Sequence, residues 1–596
     1  MKYFLIHGPT SRSRVAALCK FMVTGAFTLY ASNLAFAAAP TPPKAPPAGG
    51  QDIVSGQQAV SQPPLLDREV TRRPLADSFT PPVLTDSAAA GAQFQLRTLK
   101  VQGISVLPRD KVEAIIAPYR GRTVSLADLQ KAANAITRLY ADRGYGLSFA
   151  VVPEQDIDPA DPVARIVAIE VYIDRVTVEM NQTAASLVGR KRMEEMLRKS
   201  ADALRQEHPV RVADIEHMLL SINDLPGLHV TATIRRGVRG QGAAQMVLSI
   251  TSQGAAAEIQ ADNRLKSDFG RYEYSLAAKL RSLALVGDEL SGTVVRSQTP
   301  HDFDFWNIGY QTPILGASTT AFISYAKTSN TASRGELGLL QNSGTEDTLS
   351  FGLIQPLIRT RSQSLTARIS GGAVDATSSF YKELVSSNKI RTVDLDLAYD
   401  LADPWRGLDQ AGVTFEQGLP TLGAIASHTF YLTPADATPQ YLLTRLRLGR
   451  SQSVFGFNLS ESADAQIVLY GIPPAPADCT YGGPDLGKGY DAAAFSGEQC
   501  VRASTSLSRT FSFGRGISVT PKAFVDGAVL GRLGAYNRPN TGATRTSSVE
   551  SGGLGMVVGL PFNVALDTVV TVPFGKDVDQ VKTRTPSVWF NLDVRQ

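Results

Sequence analysis

From about Ala255 onward the chain repeats one pattern, segments of roughly ten residues in which apolar and polar side chains alternate. Val393, Leu395, Leu397 and Tyr399 share one face of their segment, and Asp394, Asp396 and Asp400 share the other. Near the C-terminus Val588, Phe590, Leu592 and Val594 oppose Ser587, Asn591, Asp593 and Arg595; Arg445 and Arg447 oppose Leu446 and Leu448. About sixteen such segments are counted, an even number of the kind a closed transmembrane barrel uses. A soluble sandwich would turn the apolar faces inward, whereas a membrane barrel turns them outward around a polar lumen. The length, number and likeness of the segments predict the barrel, over residues 255–596.

Before Ala255 the period is different. "FQLRTLKVQG" reads as a strand, "PRDKVEAIIAPY" as a helix, and Ser125 with Asp128 as a capping-box start to a second helix. Leu126, Leu129, Ala133, Ile136 and Tyr140 make that helix's apolar face; "LSFAVV" and "ARIVAIEVYI" follow as strands. The order β-α-α-β-β then repeats. Two α+β units are predicted in tandem, at residues 93–173 and 174–252.

The N-terminus carries a positive region (Lys2, Arg12, Arg14, Lys20), an apolar stretch from Phe21 to Leu34 and an Ala35-Phe36-Ala37 cleavage site. This predicts a signal peptide at 1–37 rather than a membrane anchor, since a spanning helix needs about 20 apolar residues. Residues 38–92 read as a proline-rich linker with a possible short helix before Pro63 and Pro64. No later run is long enough for a membrane helix, so a membrane form must be a closed barrel, the other structure that satisfies its backbone in lipid.

A net charge of +4 with no dense Lys/Arg run excludes a nucleic-acid partner. Beyond the signal segment, Cys479 and Cys500 are the cysteines; in an exported chain they can form one disulfide or remain free thiols. No hydrolase, zinc-protease or phosphate-loop motif occurs. His208, His217, His229, His301 and His428 lack metal-ligand spacing. No catalytic residue, metal or cofactor is therefore expected.

The tandem units resemble POTRA domains. "YADRGY" at Tyr140–Tyr145, with "PEQD" after it, resembles the signature of the first POTRA domain in two-partner secretion outer-membrane transporters. "ADNRLKSDFGRYEYSLAAKL" resembles the opening of their barrel. This is the hemolysin secretion/activation (ShlB/FhaC/HecB-like) family of the Omp85 superfamily, and the likeness runs from about Phe94 to the C-terminus.

The resemblance implies an outer-membrane translocator of a Gram-negative bacterium, with its POTRA domains in the periplasm. The client would be an unfolded exoprotein, a large β-helical adhesin or cytolysin, passed through the barrel to the cell surface. The other implied partners are outer-membrane lipid and the barrel-assembly machinery. An Omp85-type assembly factor and a polysaccharide or passive export channel are the alternatives.

The resemblance also implies that the loop at 472–499 folds into the barrel. Its family tip is V-R-G-Y/F, here Gly487-Lys488-Gly489-Tyr490. A partner F-x-D-x-G motif corresponds to Phe524-Val525-Asp526-Gly527-Ala528. Period-two reading points Lys522, Phe524 and Asp526 into the lumen and Val525 and Val529 toward lipid. Lys488, Gly489, Tyr490, Phe524, Asp526 and Gly527 are thus the expected lock of the pore loop, centred on a Lys488–Asp526 ion pair; the bland alternative leaves both charges solvated.

Lys488 stands where the family has Arg, Ala528 where it has Gly, and Gln596 where it has a terminal aromatic residue. The expected client-binding edge is Leu147, Ser148, Phe149, Ala150, Val151 and Val152, to which an extended segment can add as a strand. Gly144 and Tyr145 are expected to end a helix and pack in the domain core.

Overall fold

The computed structural model describes residues 93–158, 160–180, 189–315, 319–427, 429–533, 546–574 and 585–595. The expected signal peptide, linker and short helix, together with His428 and Gln596, lie outside the described residues.

Sixteen antiparallel strands close into a barrel. In order they are Ala255–Asp262, Glu273–Arg281, Glu289–Ser297, Phe303–Leu315, Thr319–Thr331, Ser343–Arg359, Gln363–Phe380, Glu383–Ala402, Gly407–Gly418, Leu442–Val454, Phe457–Tyr470, Gln499–Ser508, Ile517–Gly531, Thr546–Leu560, Val564–Pro573 and Ser587–Arg595. The last strand pairs back onto the first, from Asn591↔Asp262 to Arg595↔Glu258, so no sheet edge is left. Alternation decides the two faces: Ile323, Phe351, Ile369, Leu448, Leu554 and Val588 are exposed on the outside. Asp526, Glu416, Thr571 and Asp593 are buried within. An apolar outer wall around a polar lumen is stable only in lipid.

The first α+β unit pairs Thr98–Gln102 in parallel with Val163–Ile169, which pairs antiparallel with Phe149–Val151. The segment expected as one strand is two. Gln93–Leu96 leaves at Arg97 to pair with Arg122–Ser125. Helices Arg109–Ile116 and Leu126–Asp142 cover the sheet, and Leu99, Leu129, Ile136, Tyr140 and Ile166 form a closed core. The reciprocal Ser125–Asp128 capping box starts the longer helix. The second unit places Ala243–Ser252 between Tyr172–Met180 and Leu228–Arg236. Helices Arg190–Arg205 and Val212–Asn223 pack on it through Leu197 and Ile222.

The "YADRGY" segment joins the two units. Gly144, at φ +86°, ends its helix, and its carbonyl accepts a hydrogen bond from Val212 N at 3.0 Å. Tyr145 packs against the first core, and the Arg211 guanidinium lies 5.5 Å from its ring centre. Glu170, between the units, accepts from Ser105 N at 2.7 Å, from the Ser105 hydroxyl and from Tyr140 OH at 2.8 Å. Burial works to raise its pKa, but these donors outweigh burial and hold it below the usual value.

The second unit sits against the barrel's near rim. Arg359, the last residue of its strand, donates to both oxygens of Asp224 at 2.8 and 2.9 Å, and Arg361, in the turn that follows, pairs with Glu216 at 3.0 Å. Val286, on the turn at 282–288, packs on the second unit's core. The barrel end bearing this contact is the end at which the chain enters from the α+β units, and the longer loops lie at the other end.

Candidate functional site: the inward-folded loop

Between Phe457–Tyr470 and Gln499–Ser508 the chain turns back into the lumen as a short hairpin, Cys479–Tyr481 paired with Phe495–Gly497. A disulfide joins Cys479 to Cys500, with the Cα atoms 6.3 Å apart. Gln466 Nε2 donates to Ala477 O at 2.8 Å and to Glu498 O at 3.0 Å. Arg502 reaches Asp464 and Thr480 O, both at 2.6 Å. These groups fix the base of the hairpin.

The tip is folded on itself. Gly487 has φ +83°, and a Cβ there would lie 2.6 Å from Gly482 N, so only glycine fits. Tyr490 N closes the turn onto Gly487 O at 2.9 Å. Tyr481, Tyr490 and Phe495 pack edge to face or tilted, with ring centres 5.9 and 5.0 Å apart, against Ala528, Leu530 and Val549 of the wall.

The tip meets the wall mainly through backbone groups. Gly489 lies so close that a Cβ would be 2.6 Å from Ser551 Cβ. Its N–H donates to Ser551 Oγ at 3.1 Å, and that hydroxyl donates in turn to Asp526 Oδ1. Tyr481 OH donates to the same carboxylate oxygen at 2.8 Å. The Lys488 carbonyl accepts from Trp589 Nε1 at 2.5 Å and from Thr571 Oγ1 at 2.9 Å. Tyr490 OH donates to Glu550 O at 3.1 Å.

The Lys488–Asp526 ion pair is absent. The Lys488 ammonium turns back to Asp485 O at 2.7 Å and lies 5.0 Å from the Phe524 ring centre. The tight turn at Gly487 aims the side chain back over the loop, and Asp526 is already engaged by two hydroxyls. Phe524 and Asp526 do face the lumen, as alternation requires, but Gly527 faces outward against Glu550 and touches nothing in the loop. Ser551, Thr571, Trp589 and Tyr481 escaped the sequence reading. Trp589 alone left a signal: a tryptophan on the lumenal register of a strand whose other ring, Phe590, is on the lipid-facing register.

A second tether runs from the loop to the outer end of the barrel. Asp491 accepts from Ser267 Oγ at 2.8 Å and lies 3.9 Å from Arg271, both in the loop at 263–272. The loop lies along the wall of strands 517–595. The facing wall carries Arg368, Asp394, Asp396, Glu416, Arg445 and Arg447 on its lumenal side. Arg445 pairs there with Glu416, and Arg368 sits 4.2 Å from the Phe322 ring centre.

The expected client edge is largely closed. Leu147 is buried in the second unit's core, and Ser148 Oγ accepts from Val171 N at 3.0 Å. Only Phe149–Val151 is strand, and Ala150 N is held by Thr137 Oγ1 at 2.9 Å. Val152 packs against the first core. The sheet order of the second unit leaves Tyr172–Met180, nine residues long, at an edge with no further strand among the described residues.

Comparison with known proteins agrees with this architecture. Residues 94–160 match the POTRA domain, ShlB-type, and residues 249–558 match the haemolysin secretion/activation protein ShlB/FhaC/HecB family. The heme/hemopexin transporter protein HuxB of Haemophilus influenzae Rd is 24% identical over 380 residues, 62% of this chain and 64% of that protein. The outer membrane transporter CdiB of Dickeya dadantii is 23% identical over 399 residues, 63% of this chain and 66% of that protein. The chain thus spans somewhat less than two thirds of the curated relatives it matches. Among solved structures, CdiB from Escherichia coli superposes with a TM-score of 0.68 at 18% identity, over 88% of this chain and 94% of that one. With a family model matched over more than half of its length, this outer-membrane chain belongs to the haemolysin secretion/activation protein family ShlB/FhaC/HecB.

Proposed function

We propose that this protein exports an unfolded exoprotein across the outer membrane, as the two-partner secretion reading implies. The carrying observation is the loop itself. It occupies the lumen, yet its tip is held by a handful of hydrogen bonds to Ser551, Thr571, Trp589 and the Glu550 carbonyl. Such a plug can be released and reset, with the disulfide keeping its base in place.

The POTRA units at residues 93–173 and 174–252 receive the client on the periplasmic side. The open edge at Tyr172–Met180 suits an extended chain, which gains main-chain hydrogen bonds with little demand on its sequence. The facing lumenal wall, with charges of both signs, gives a polar path. Folding of the client outside makes backward movement unfavourable, so no nucleotide is required. The chain acts as a conduit and not as an enzyme. The names of the relatives, a heme/hemopexin transporter and an outer membrane transporter, support a secreted client.

The test compares large exoproteins in culture fluid and at the cell surface with and without this gene, the client being the one whose export depends on it. Loss of that client alone is the expected result. A parallel fall of many outer-membrane proteins would instead indicate an assembly factor.

A further inference from the structure

The periplasmic rim is covered along one arc and bare along the other. The second α+β unit covers the turns at 282–288 and 359–363. The turns at 403–406, 455–456, 509–516 and 561–563 lie beyond it, and aromatic side chains stand at their tips. Trp405 is 75% exposed, Phe455 97% and Phe562 93%. The turns adjoin one another. Gln452 Nε2 reaches Trp405 O at 3.4 Å, Arg509 lies 5.2 Å from the ring centres of both Phe457 and Phe511, and a Cβ at Gly516 would lie 3.6 Å from Pro561.

The backbone makes these tips more telling. Arg406, Phe455, Arg515 and Phe562 all have positive φ, at +64°, +51°, +52° and +65°. Glycine or asparagine takes that conformation at least cost. Each bare turn therefore carries an arginine or a phenylalanine where the backbone favours a small residue, and such outliers point to function. Arg406, Arg509 and Arg515 have no carboxylate partner among the described residues. The one acid within these turns, Asp403, is already held by Arg450 at 2.7 Å.

We propose that this arc is a docking surface for anionic phospholipid of the periplasmic leaflet. Arg406, Arg509 and Arg515 take the lipid phosphates, while Trp405, Phe455 and Phe562 enter the boundary between headgroups and acyl chains. Charge complementarity and continuity select lipid as the occupant. The turns extend the lipid-facing wall directly, through outward Phe457, Leu507, Ile517 and Leu560. Aromatic rings with arginine beside them suit the membrane interface. The surface would hold this side of the barrel fixed in the membrane while the α+β units work on the other side.

Trp405 is a built-in reporter. Full-length protein in detergent micelles is titrated with brominated phosphatidylglycerol or brominated phosphatidylcholine, and the quenching lost in Trp405→Phe is read. One cation beside an anionic surface is worth about fivefold in affinity. Phosphatidylglycerol is expected to quench at the lower concentration. Arg509→Gln is expected to shift that curve about fivefold and to leave phosphatidylcholine unchanged, while Arg509→Lys keeps the selectivity. Phe455→Gly, which relieves the backbone, is expected to raise the unfolding temperature in lipid-free micelles and to weaken phosphatidylglycerol quenching. Superimposable curves for the two lipids overturn the proposal, as does a wild-type curve from a folded Arg509→Gln variant. A photo-crosslinking residue placed at 455 in cells gives the third reading. Protein adducts there, to another chain or to residues 93–252, assign the arc to a protein and overturn it.

Discussion

At the residue scale, what holds the pore loop is its backbone and not its charge. Lys488 contributes a carbonyl to Trp589 and Thr571, and any residue at that position would supply it. Lys488→Ala therefore loses, toward the wall, only the contact with Phe524, about 1 kcal/mol, and within the loop the hydrogen bond to Asp485 O, about 1 kcal/mol. Asp526→Ala strips Tyr481 and Ser551 of a shared charged acceptor, and hydrogen bonds to charged groups are worth about 1.5–3 kcal/mol each. Single-channel recording in planar bilayers is expected to show frequent opening for Asp526→Ala and near wild-type closure for Lys488→Ala. Equal opening by both would restore the ion pair as the lock. Glu170 gives a pH prediction at the same scale. Its folded pKa lies below the usual 4.5, so its contribution to stability is complete above that value and is lost as pH falls through the folded value. Hydrogen-exchange protection of the Ser105 and Val106 amides, which Glu170 holds at 2.7 and 3.3 Å, should fall on acidification below about pH 4.5 and at neutral pH in Glu170→Gln.

Among elements, the strands were legible and their tertiary partners were not. Alternation alone assigns Val588, Phe590, Leu592 and Val594 to lipid, because a period of two allows no other division in a strand with one wet face. The same reading placed Asp526 in the lumen. It could not find Ser551 or Thr571, since a hydroxyl that meets a backbone carbonyl or amide leaves no complementary residue in the sequence. The break at Arg97 was invisible for a related reason: both halves of the segment alternate well, and only pairing with Arg122–Ser125 separates them. The edge at Leu147–Val152 reads as an exposed strand locally, yet Thr137 and the second unit's core claim it.

The clamp between the second unit and the barrel belongs to this scale as well. Arg359 and Asp224 are 15% and 8% exposed at the side chain, so removing one partner strands the other, at about 3–5 kcal/mol. Spin-label distances between the unit and the barrel should broaden in Arg359→Gln. The exchange of Arg359→Asp with Asp224→Arg should narrow them again. An unchanged distribution in Arg359→Gln would mean that the apolar contact at Val286 is sufficient by itself.

For the whole molecule, the barrel and the α+β units are separable in stability, while the proposed function needs both. Every barrel strand is paired on both sides within the barrel, so closure does not depend on the units. Among the described residues the units add at the rim two ion pairs, the packing of Val286 and Gly287 on their core, and the approach of Gly227 to Arg281. Their loss exposes Arg359 and Arg361, which water solvates at little cost, and one short apolar turn. A chain lacking residues 93–250 is therefore expected to insert and to keep the heat-dependent electrophoretic shift of a closed barrel. The loop would stay docked, because among the described residues the contacts that pin it come from the barrel and from the loop at 263–272. Such a barrel keeps the docked loop and lacks the edge at Tyr172–Met180, so under the proposed function secretion should stop while insertion continues. Normal secretion by the truncated chain would mean that the client finds the pore unaided. The lumenal wall bearing Arg368, Asp394 and Arg445 would then be the site of recognition.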